Sequence, residues 1–122
     1  MDVQNFLQEV ATSIDNKDAK KFASFITPDG QFRFGNAPAV FGTEEIVKVV
    51  DWFFTTIKSS KHEILKTWVG EDGSIVWQGK VIYTRLDDNV VPVDFVNVFT
   101  MEGDKIKDYL IYIDNAPLTA EM

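Results

Sequence analysis

The chain has a single histidine, His62, and imidazole is the side chain best suited to moving protons near neutral pH. It lies in KHEI (61–64), the start of a strand-like stretch where alternation puts His62 on one face with Ile64, Lys66 and Trp68. As a general acid or base it needs a carboxylate to orient it, and Asp94 and Asp114 are the candidates. The alternative is a partly exposed residue at a strand start, or a structural hydrogen-bonder.

Asn97 is the second candidate. It interrupts VPVDFVNVFTMEG (91–103), a run of β-branched and aromatic residues. Alternation puts Val93, Phe95, Asn97, Phe99 and Met101 on one face and Val96 and Val98 on the other. A buried amide without partners costs about 1–3 kcal/mol. Asn97 is therefore either bonded inside the core or turned into a wet pocket, where it could donate to a ligand carbonyl. Tyr109 shares a face with Ile111 and Ile113, and antiparallel pairing would bring its phenol near Asn97. Phe95, Phe99, Ile111, Ile113 and Trp52 are the candidate apolar walls of such a pocket, with Gln78 a further polar interruption. Asp94 falls on the face opposite Asn97, where Lys80 or Arg85 could pair with it.

Several chemistries are not expected. Without cysteine there is no disulfide, zinc–thiolate site or thiol nucleophile. No Gly-x-Ser-x-Gly, HExxH, EF-hand loop or Gly-rich phosphate loop occurs, so neither a metal nor a nucleotide cofactor is expected. The net charge of −7 and the lack of a basic run argue against nucleic acid and anionic membranes. The opening MDVQNFLQEV has no signal-peptide character, and no apolar run is long enough for a membrane span. A cytoplasmic location is the expectation.

These residues need a scaffold, and 122 residues suit one domain, 1–122. Val3, Phe6, Leu7, Val10, Ala11 and Ile14 form a helical stripe over 2–15, and Asp18 can cap a second helix through Phe22, Phe25 and Ile26. TPDG (27–30) reads as a turn, QFRF (31–34) as a short strand, and GNAP (35–38) as loop. GTEEIVKVVDWFFTTIKSS (42–60) reads as the third helix, with Thr43 as its N-cap. Strands follow over 61–70, 74–86, 90–102 and 105–114, separated by turn-forming clusters. Helices followed by an antiparallel meander predict an α+β domain. Its apolar sheet must curl over the helices into a cone, which ten phenylalanines could line or fill.

In order along the chain, IDNKD (14–18), FGTEEI (41–46), KHEI (61–64), VNVFTMEGDKI (96–106) and YIDNAPL (112–118) resemble the NTF2-like superfamily. Within it the SnoaL-like branch, with its polyketide cyclases and relatives of ketosteroid isomerase, is the most similar. The resemblance implies three N-terminal helices packed into a strongly curved antiparallel sheet. It also places Asn97 where ketosteroid isomerase carries the acid of its oxyanion hole. The isomerase base and tyrosine fall near Arg33 and Val10, which cannot do that chemistry, so steroid isomerisation by that route is not expected.

Three functions remain open. The cone could bind a small hydrophobic molecule. It could be an isomerase, cyclase or hydrolase on a hydrophobic carbonyl compound, with His62 as base and Asn97 as oxyanion donor. It could instead be a filled protein-interaction module. Outward-facing Ile82, Val96 and Val98 point to a homodimer through the sheet, as does the resemblance.

Overall fold

The computed structural model describes residues 1–119. Three helices, α1 (Val3–Asp15), α2 (Ala19–Ser24) and α3 (Thr43–Thr55), enclose β1 (Ile26–Phe34) and the short β2 (Val40–Phe41) in sequence. Four long strands follow, β3 (Ile57–Val69), β4 (Ile75–Arg85), β5 (Val90–Glu102) and β6 (Lys105–Ile113), and then a short α4 (Ala116–Thr119).

The predicted stripe of α1 is its buried face, with Phe6, Leu7, Val10 and Ala11 in the core. Asp2 caps this helix by accepting from the Asn5 N–H at 3.1 Å. Asp18 caps α2 as expected, accepting from the Lys21 N–H at 3.0 Å. That helix stops at Ser24, because Ile26 already pairs with Ile106 of β6.

Three local expectations are corrected. The N-cap of α3 is Gly42, with φ 88°, and Thr43 is the first helical residue. Glycine adopts that positive φ with little strain, which outweighs a hydroxyl cap. The helix ends at Thr55, because Ile57 is buried and opens β3 opposite Arg85. TPDG (27–30) is not a turn but the bulged centre of β1, whose register against β6 slips between Ile26 and Gln31. A Cβ on Gly30 would stand 2.4 Å from Ile26 Cγ2, so the bulge requires glycine.

The sheet order is β2-β1-β6-β5-β4-β3. The four long strands form the expected antiparallel meander, but β1 runs parallel to β6. The two edges, β2 and β3, do not meet, so the sheet is curved and unclosed. Further register shifts at Ile64/Lys66 and Thr100/Met101 add to its bending. The helices fill the concave side, where Leu7, Val10, Phe22 and Ile46 meet Trp77, Val81 and Ile106.

Pairing arranges the concave face in rows: His62, Val81 and Val93; Gly79, Phe95 and Ile113; Trp77, Asn97, Ile111 and Phe34; and Ile75, Phe99, Tyr109 and Phe32. The convex face has rows of its own. One runs Trp68, Val76, Val98, Leu110, Arg33, and the next Lys66, Gln78, Val96, Tyr112. Gln78 is therefore outside the cone and exposed, not a lining residue.

Candidate functional site

A cavity of about 130 Å³ opens inside the cone. Its walls are overwhelmingly apolar, with Phe22, Phe32, Phe34, Phe53, Phe54 and Phe95 among them. Among the described residues the polar side chains that reach it are His62, Tyr83, Asn97 and Tyr109.

His62 sits on β3 where the C-terminal end of α1 crosses the sheet. Its Nδ1 lies 2.6 Å from Asp15 Oδ1, and its backbone N–H donates to Asp15 Oδ2 at 2.8 Å. Ser60 Oγ donates to Asp15 Oδ1 at 2.9 Å. An ionised carboxylate can only accept, so the imidazole donates from Nδ1. That leaves Nε2 as the nitrogen available to the cavity. The imidazole is only 9% exposed, and its ring meets Phe95 edge-on at 5.6 Å.

The orienting carboxylate is therefore Asp15, and the expectation of Asp94 or Asp114 is corrected. Asp94 is on the convex face, 3.5 Å from Lys80 Nζ, as one reading of the alternation expected. Asp114 accepts from the Ala116 N–H at 3.1 Å, at the start of α4. Sequence reasoning gave Asp15 no role, although one signal was present. A carboxylate in the last turn of a helix opposes the helix dipole, which makes an acid there unfavourable without a specific partner.

Asn97 is 3% exposed and faces the cavity. Its Nδ2 donates to Tyr109 Oη at 3.4 Å across the β5–β6 ladder, the pairing that antiparallel strands predicted. Its carbonyl oxygen has no partner among the described residues. Both phenols are held in the neutral form. Burial, and next the charge of Asp15, push Tyr83 above the ordinary phenol value. Burial, with a smaller contribution from Tyr83, does the same for Tyr109.

Phe95, Ile111 and Ile113 line the cavity as expected, and Trp52, 65% exposed, stands at its rim. Phe99 does not line it. It is fully buried behind the wall, 4.5 Å from the Tyr109 ring and 5.8 Å from Trp77. Val10 is sealed in the core, and Arg33 lies on the convex face against Tyr112, so neither stands where the isomerase groups would act. Among the described residues no group of His, Asp and Glu is placed to hold a metal ion, and no helix is long and apolar enough to cross a membrane.

A curved, unclosed six-stranded sheet with helices packed on its concave side is an NTF2-like architecture. Residues 3–109 match the SnoaL-like domain family, and the chain belongs to it. The fold is shared with an NTF2-like protein of unknown function from Burkholderia pseudomallei K96243, at TM-score 0.84 and 16% identity, covering 96% of this chain and 97% of that one. TerC, co-crystallised with polyporic acid, is similar at TM-score 0.80 and 16% identity, covering 93% and 92%. A Catenulispora acidiphila protein in complex with S-DNPA is similar at TM-score 0.74 and 21% identity, covering 97% and 95%. No curated protein sequence matches the chain. Membership of this family points to a small-molecule-binding or a cyclase- or isomerase-type protein.

Proposed function

We propose that the cone binds a small hydrophobic carbonyl compound and moves a proton within it, with His62 as the base. The observation that carries this reading is the 2.6 Å contact between Asp15 and His62 on the wall of an apolar cavity. The same carboxylate also accepts from the His62 backbone N–H and from Ser60 Oγ. Here Asp15 holds both the tautomer and the ring orientation.

The proton transfer is simple. His62 Nε2 takes a proton from the carbon beside the ligand carbonyl. The C–H electron pair becomes the new C=C bond, and the negative charge moves to oxygen. The remaining N–H of the Asn97 amide, and the neutral Tyr109 phenol, are the donors for that oxygen. The imidazolium then returns the proton to another atom of the ligand. Similarly folded proteins captured with polyporic acid and S-DNPA support a cone that takes up small organic molecules. The open cavity weighs against a filled interaction module.

Thermal unfolding against a panel of hydrophobic ketones and lactones tests binding. A ligand at 100 times its dissociation constant should raise the melting point by roughly 8–15 °C. Each hit is then incubated in D2O. Deuterium should enter beside the carbonyl with the wild-type protein and not with His62→Ala. Equal incorporation by both removes His62 from the chemistry.

We also propose that two copies associate through the convex face. Trp68 and Tyr112 are exposed there beside Val76, Val96, Val98 and Leu110, an apolar surface on two adjacent rows of the sheet.

A further inference from the structure

The size and polarity of the cavity narrow what it can hold, and the argument rests on the cavity being the binding site. Its volume is about 130 Å³. A dry protein cavity of about 150 Å³ accepts benzene, so the interior of this one matches a single ring.

Charge narrows it further. Among the described residues no lysine or arginine lines the cavity, and Asp15 is occupied behind His62 by three donors. A carboxylate or phosphate would enter an apolar site with no cation to meet it, at a prohibitive desolvation cost. The occupant is therefore neutral.

The last constraint comes from Asn97. Its Nδ2 is engaged with Tyr109, while Oδ1 is buried and has no partner among the described residues. An acceptor stranded in an apolar site is satisfied by a ligand that donates. Tyr109, held neutral by burial, accepts from Asn97 Nδ2 and keeps a phenolic proton of its own. A hydroxyl fits both neighbours, since it donates through its hydrogen and accepts through its oxygen.

We propose that the cavity selects a neutral, single-ring compound whose hydroxyl donates to Asn97 Oδ1.

The test is a set of dissociation constants for phenol, toluene, anisole and 1-naphthol, measured by calorimetry on the wild-type protein and on Asn97→Leu. Phenol and toluene have nearly the same shape, and anisole accepts but cannot donate. In the wild type, phenol should bind more tightly than anisole, and 1-naphthol should bind more weakly than phenol. The phenol-to-toluene affinity ratio should fall roughly 10-fold or more in Asn97→Leu, because only phenol loses a partner. Asn97→Leu should melt at or above the wild-type temperature. Should it fail to fold, Asn97→Ala carries the same comparison.

An unchanged ratio, or anisole equal to phenol, would overturn the hydroxyl assignment. Naphthol binding as well as phenol would overturn the single-ring limit. These readouts are independent of proton transfer. The pattern can hold while His62→Ala leaves deuterium exchange intact, which would remove the proposed chemistry and keep the selectivity. It can also break while exchange depends on His62, which would do the reverse.

Discussion

Asp15 ends a helix, where the backbone dipole disfavours a negative charge. Hydrogen bonds from Ser60 and from the ring and backbone of His62 offset that cost. In Asp15→Asn the amide can turn its NH2 toward Nδ1 and place the imidazole proton on Nε2 instead. Turnover should then fall by up to about 10⁴-fold, the cost of the wrong tautomer in a comparable triad, with ligand affinity little changed. Steady-state kinetics beside calorimetry checks this, and a loss confined to affinity would contradict it. The phenols make a pH prediction. Tyr83 and Tyr109 have raised pKa values in the folded chain, so above about pH 10 the unfolded chain loses protons that the folded one keeps. Stability is fully present below that pH and should decline above it, by at most about 1.4 kcal/mol per pH unit for each phenol. Urea titrations from pH 8 to 11 should show the decline, and Tyr109→Phe should make it shallower. Asn97 was legible because residue type and strand period are local. His62 was legible by type alone, since the register shift between Ile64 and Lys66 turns Lys66 and Trp68 to the opposite face from the one they were expected to share with it. Asp15 was not, since its partner lies 47 residues away and no local pattern records that contact.

Gly79 decides how closely two strand elements approach. It pairs with Ile64 on one side and Phe95 on the other, and a Cβ there would stand 2.4 Å from Glu63 O and 2.6 Å from Phe95 Cζ. The bare backbone lets the Phe95 ring lie over β4, where it touches both His62 and Trp77. Gly79→Ala should therefore cost about 1–3 kcal/mol, the usual penalty for overpacking, and disturb the cavity wall. Equilibrium urea unfolding measures the first effect and phenol affinity the second; a neutral substitution would mean the strands have room to separate. The helices and the meander were readable because their apolar periods of 3.6 and 2 are strong. The direction of β1 was not, because period gives a strand its faces but not its neighbours. TPDG was misread for a related reason, as Pro, Asp and Gly serve a bulge as well as they serve a turn.

At the scale of the molecule, the two faces of one sheet have different tasks. The concave face encloses the cavity, while the convex face presents Trp68 and Tyr112 with Lys66 and Arg33 over their rings. If that face joins two copies, light scattering should give twice the chain mass, and Val98→Lys should return it to one. A monomeric wild type would contradict the proposed interface. Proton transfer in the cone requires one particular state of one imidazole, and the chain has a single histidine to observe. Nitrogen-15 NMR of His62 reports which ring nitrogen carries the proton. The predicted spectrum has the proton on Nδ1 and a bare Nε2, whose signal shifts when phenol is added. A proton resident on Nε2, or an Nε2 signal indifferent to every cavity ligand, would contradict His62 as the base of this site.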